Sequence, residues 1–183
     1  LSSQAGGPRG RRNAASRSLL IGKVFDEDGA RLTPTHAGRS GERRRYYVSR
    51  RLIDRSAKSA DATWRVPAAQ LERAVGQVVL DRLGQPTSAV SVLTTRPEVR
   101  TLGALEAKLR DVLQMQVTDG VLKFVAAVRI APGALTVELD AAALAQALEI
   151  EPAHIAPAFL RLEALFTLRR CGTEARLVLG DAP

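Results

Sequence analysis

Arg43, Arg44 and Arg45 stand directly before Tyr46 and Tyr47. A guanidinium is a planar, permanently charged fork that fits a phosphate or the edge of a guanine, and a tyrosine ring beside it offers a stacking surface. On an extended chain, alternate residues share a face. Arg43, Arg45 and Tyr47 would then point one way, and Arg44 and Tyr46 the other. Either one face packs on a neighbouring strand while the other meets a polyanion backbone, or Tyr46 and Tyr47 both fill a small core and the arginines are solvated. Lys23, Arg31, His36, Arg39, Arg50 and Arg51 surround this cluster and complete the set of candidate DNA contacts.

Other chemistries find little support. A structural zinc site needs about four Cys or His ligands at close spacing. The chain offers His36, His154 and Cys171, far apart in sequence. There is no GxSxG turn for a serine nucleophile, and Cys171 beside Gly172 reads as a turn residue. No GxxxxGK[ST] phosphate loop occurs, and Gly22-Lys23 lacks the glycine spacing that such a loop requires. Asp26 and Asp28 flank a glycine turn and are better explained as turn acids than as a catalytic pair. The expectation is a chain with no catalytic residue, no metal and no cofactor.

The charge distribution supports the basic cluster. The 183 residues carry 27 Lys+Arg against 19 Asp+Glu, a net charge of +8. Residues 1–65 hold a net +9 and residues 66–183 a net −1. A basic third on a neutral body is the footprint of a polyanion binder. No apolar run reaches the roughly 18 residues of a membrane helix, so no membrane partner is expected. The single cysteine excludes an intrachain disulfide framework and fits a reducing cytoplasm. The chain begins with Leu1 and reads as a piece of a longer protein.

The elements that must position the cluster follow from pattern. Residues 1–18 are Gly-, Ser- and Arg-rich and read as a linker or disordered arm. Residues 19–49 have a hairpin texture, with a turn at Asp26–Gly29, a strand near Arg31–Thr35 carrying an edge-favouring Pro34, and a strand at Arg43–Ser49. This reads as a small basic β-ribbon with little core of its own. Residues 50–65 read as a linker whose Trp64 anchors its end. From Pro67 the apolar spacing Leu71, Val75, Val78, Val79, Leu83 predicts a helix up to Gly84. A second helix is expected from about Thr101 to Gln116. Strands are expected at 121–130 and 135–139, a short helix after the cap Asp140, irregular chain at 150–157, and a strand pair at 160–169 and 174–179. The predicted class is α+β: a ribbon at 19–49, then a helix-containing domain with an antiparallel sheet at 66–183.

The run LLIGKVFDEDGARLTPTHAGRSGERRRYYVS at 19–49 resembles the region that follows the recombinase domain in large serine site-specific recombinases, the group of phage integrases, transposon resolvases and DNA invertase-like proteins. Many members carry a zinc β-ribbon there, L-x-G-x-x-x-C-x-x-C-G-x-x-M ending in Y-x-Y-Y-x-C. Leu20 and Gly22 match its start, Gly29 and Leu32 its middle, and Tyr46-Tyr47 its end. Its cysteine positions fall near Phe25–Asp28 and at Ser49, so the likeness is to a cysteine-free version. RVPAAQLERAVGQVVLDRL at 65–83 is similar to the helix after the ribbon, and LRRCGTEARLVL at 168–179 to a C-terminal motif of the same proteins.

The resemblance implies a piece that grips double-stranded DNA at a recombination target site and makes subunit contacts, as a homo-oligomer in a synaptic complex. It also implies that the catalytic serine lies in a resolvase domain outside this chain, which would itself not be an enzyme. The alternative reading is a protein-interaction module whose α+β body binds a partner, with a solvated basic arm and no DNA role.

Overall fold

The computed structural model describes residues 18–37, 44–53, 64–114, 120–171 and 174–180. Two sheets share one helix. Strands β1 (Val24–Phe25), β5 (Val125–Ala131), β6 (Ala134–Leu139), β7 (Arg161–Cys171) and β8 (Glu174–Gly180) form a five-stranded sheet in the order β1-β5-β6-β7-β8. Strands β2 (Leu32–Ala37), β3 (Arg44–Ser49) and β4 (Arg65–Pro67) form a three-stranded antiparallel sheet in that order. The helices are α1 (Arg50–Ile53), α2 (Ala68–Leu83), α3 (Ser88–Ser91), α4 (Val99–Leu113), α5 (Ala141–Leu148) and α6 (Pro157–Leu160). The α+β class read from the sequence is the class of the structure.

Helix α2 forms where the apolar spacing placed it. Leu71, Val75, Val79 and Leu83 are buried along one stripe. Pro67 stands just before its first residue and Gly84 closes it, with the Gly84 N–H donating to the Leu80 carbonyl at 2.8 Å. Helix α5 starts at Asp140, whose carboxylate accepts from the Ala142 and Ala143 N–H groups. Strands β5 and β6 join through Gly133 at φ 79, a left-handed turn that suits glycine. Leu135 and Val137 point into the core beside Val128 and Ile130.

One expectation holds in part and one is corrected. Within 19–49 the antiparallel pair forms between β2 and β3, with Leu32 opposite Ser49, and not as a strand pair across the turn at Asp26–Gly29. Phe25 and Arg31 make one antiparallel bridge, and β1 then runs parallel to β5, with Val24 opposite Val128. The strand expected at 121–130 begins only at Val125, because Leu122–Phe124 forms a 3-10 turn that buries Leu122 and Phe124. The residues that follow α3 meet the segment expected to be irregular at 150–157: Thr94 N–H donates to the His154 carbonyl and Ala156 N–H to the Val92 carbonyl, each at 2.9 Å.

The segments 19–49 and 66–183 share one core. Leu20, Val24, Leu32 and Tyr47 from the first belong to the same buried cluster as Leu71, Val75, Val128 and Phe166 from the second. Within the expected linker, α1 occupies residues 50–53, and Trp64 does anchor its end. The Trp64 ring lies 5.7 Å from that of Phe166, and its Nε1–H donates to Glu27 Oε2 at 2.6 Å. Residues 1–17 of the expected arm lie outside the described residues; Ser18 is buried.

Candidate nucleic-acid interface

Strand β3 sits between β2 and β4, so its two faces meet different surroundings. In antiparallel pairs, directly opposed residues share a face. Tyr47 lies opposite Pro34 and Val66, and Arg45 opposite His36; these form the inner face, turned toward α2. Tyr46 lies opposite Thr35 and Pro67, and Arg44 opposite Ala37; these form the outer face. Tyr47 and Arg45 thus point one way and Tyr46 and Arg44 the other, as the alternation predicts.

The inner face is structural. Tyr47 is fully buried, and its hydroxyl donates to Glu72 Oε1 at 2.8 Å while accepting from the Leu20 N–H at 3.0 Å. Glu72 Oε1 also accepts from the Leu19 N–H at 2.8 Å, and Arg45 reaches Glu72 Oε2 at 3.6 Å. Glu72, 3% exposed, is therefore a buried carboxylate whose charge is answered by one guanidinium and two further donors. Burial, reinforced by the adjacent Glu72 carboxylate, pushes the Tyr47 hydroxyl well above the usual tyrosine pKa. Tyr47 cannot serve as a nucleic-acid contact, and Arg45 is committed to Glu72.

The outer face is exposed in part: Val48, opposite Thr33 and Arg65, is buried on it. Arg44 is exposed at its edge, and Tyr46 is half-buried. Arg65 of β4, also exposed, lays its guanidinium over the Tyr46 ring at 4.5 Å from the centroid. Such stacking holds an arginine in a fixed pose while leaving its N–H groups for an anion. Thr33 and Thr35 add hydroxyls on the same face.

The remaining candidates scatter. Lys23 is half-buried and donates to the Val125 carbonyl at 2.5 Å, tying β1 to β5. Arg31 is exposed beside the Phe25 ring at 5.8 Å. His36 is exposed on the inner side, near the end of β2. Arg50 is exposed at the start of α1. Arg39, Arg43 and the Arg51 side chain lie outside the described residues. Asp26 proves to be a turn acid: its Oδ1 accepts from the Asp28 and Ala30 N–H groups at 3.1 and 2.7 Å. Among the described residues, no three His, Cys, Asp or Glu side chains group to hold a metal ion, and no helix is long and apolar enough to cross a membrane.

Two residues escaped the sequence reading. Glu72 carried a signal, since it falls in the row Ala68, Glu72, Gly76 beside the apolar stripe, where small neighbours leave room for a side chain from another element. Arg65 carried none, because its meeting with Tyr46 depends on the β3–β4 register. No family model, curated protein or solved structure matches the chain.

Proposed function

We propose that this chain is the DNA-gripping, C-terminal part of a large serine site-specific recombinase, contributing target-site binding and subunit contacts and no bond chemistry of its own. The observation that carries the reading is the outer face of the three-stranded sheet, where Arg44, Tyr46 and Arg65 stand together. Two cations held on a rigid sheet suit phosphates along a duplex, and their forks also suit guanine edges. The three stretches that carry the family likeness also touch one another. Tyr47 of 19–49 bonds Glu72 of 65–83, and Gln70 of 65–83 accepts from the Leu177 N–H of 168–179.

The test is fluorescence anisotropy of a labelled duplex across a salt series. The intact chain is compared with an Arg44→Ala/Arg65→Ala variant. Point variants are needed because removing residues 18–65 would take Tyr47 and β1 from the shared core. The intact chain should bind with a log–log salt slope of several units, and the variant should lose up to about 0.9 of slope for each phosphate contact removed. An unchanged slope would remove the sheet face from the interface. Absence of binding at physiological salt would end the DNA reading.

A further inference from the structure

Strand β8 ends the order of the five-stranded sheet and has β7 as its one sheet neighbour. Its free edge does not face open water throughout. The Leu177 N–H turns away from β7 and donates to Gln70 Oε1 of α2 at 2.7 Å. The period of two along a strand turns the Leu179 N–H the same way. Opposite this edge runs the outer flank of α2, and between them lie two adjoining cavities of about 460 and 650 Å³ that share Gln77 and Leu179. Together they make one groove along the edge.

The groove's charges are unevenly answered. Asp81 already accepts from Gln77 Nε2 at 2.7 Å, and Glu163 from Arg161 Nε at 3.1 Å. Arg73 is exposed and has no hydrogen bond or ion pair among the described residues. Arg82 donates from Nη1 to Gln85 Oε1 at 3.3 Å and lies over the Phe159 ring at 4.6 Å, while its Nε is buried without an acceptor. Three arginines, Arg73, Arg82 and Arg161, line the groove against two carboxylates, Asp81 and Glu163, and this excess of positive charge favours an anionic occupant. An unpaired strand edge beside a helix is the geometry in which extended peptides add to a sheet through main-chain hydrogen bonds. Short or charged edges usually prevent this, yet the segment Leu177–Gly180 of this edge carries no charged side chain, the charges of β8 lying earlier at Glu174 and Arg176.

We propose that this groove takes an extended, acidic peptide segment of another protein, which adds as a strand to β8 at Leu177–Gly180 and directs carboxylates toward Arg73 and Arg82. Gln70 Oε1 holds the place of the incoming carbonyl at Leu177 and is displaced by it. The site lies on a different sheet from Arg44, Tyr46 and Arg65 and does not depend on the DNA reading.

The experiment uses the full chain and a fluorescein-labelled octapeptide of alternating valine and glutamate. Controls are the same peptide with lysine for glutamate, and one N-methylated at alternate backbone nitrogens. Anisotropy reads binding, and backbone amide NMR shifts read its place. The glutamate peptide should bind saturably and shift the Leu177–Gly180 amides, and both controls should fail. Arg73→Glu, at an exposed helix position that leaves the core intact, should weaken binding by roughly three- to tenfold. Absence of glutamate-peptide binding would overturn the proposal. So would equal binding of the N-methylated peptide, or sedimentation showing a dimer with its β8 amides already protected, which would give the edge to a second copy of the chain.

Discussion

The hydroxyl of Tyr47 and the carboxylate of Glu72 meet at 2.8 Å inside the core, joining β3 to α2. The same two side chains take up the Leu19 and Leu20 N–H groups, so one pair satisfies the chain entering the fold and the helix it enters upon. Tyr47→Phe removes the hydroxyl and leaves the Leu20 N–H without its acceptor. The expected loss is about 1–3 kcal/mol, read as a lower urea midpoint at an unchanged slope. A loss of only a few tenths would mean that water replaces the hydroxyl and that the pair is not a main fastening.

The same pair gives a pH dependence. The folded-state pKa of Tyr47 is raised above the usual 10 by burial first, then by the Glu72 charge. A raised pKa means that the folded protein holds this proton more tightly than the unfolded chain does. The contribution is complete below the unfolded value and is lost as pH climbs from there toward the folded one. Stability should therefore fall above pH 10, by up to about 1.4 kcal/mol per unit from this group. Urea titrations of the native chain beside Tyr47→Phe at rising pH isolate the effect: the variant should fall less steeply. Parallel curves would contradict it.

On the outer face, charge and stacking separate. Arg65→Lys keeps the charge but loses the planar fork that lies over Tyr46. The salt slope of duplex binding should stay within error of the native value, while affinity drops by roughly two- to fivefold through the lost stacking. A reduced slope would show that a lysine at this position no longer reaches the phosphate.

Asp140 should matter locally and modestly. Its carboxylate accepts two N–H groups at the start of α5, whose buried Leu144 and Leu148 then reach the core. Asp140→Ala should cost about 0.5–2 kcal/mol in thermal or urea unfolding, and Asp140→Ser should recover most of it.

The parts of the fold written in local pattern were legible beforehand. The stripe Leu71, Val75, Val79, Leu83, the cap at Asp140 and the alternation Leu135, Val137, Leu139 each sit within a few residues of chain. The parallel seat of Val24 beside Val128 was not legible, because nothing near Val24 encodes a partner so remote. For the same reason the segment 19–49 looked like a ribbon with little core, although its core lies in α2 and β5. At the site, the alternation assigned Tyr46 and Tyr47 to opposite faces. Which face would be buried depended on Glu72, a residue that only the packing of helix on sheet brings to Tyr47.

Lys23 bonds a carbonyl 102 residues further on, at the seam where β1 joins β5. Read as an order of events, this seam must close late. Synthesis delivers Val24 and Phe25 long before β5 exists, and closing so long a loop costs entropy that local contacts cannot return in advance. The start of the chain therefore waits, with its apolar residues uncovered, until the middle has been made. Folding should be slower than the helix content suggests, and a nascent chain halted before Val125 should expose the surface that β1 later covers.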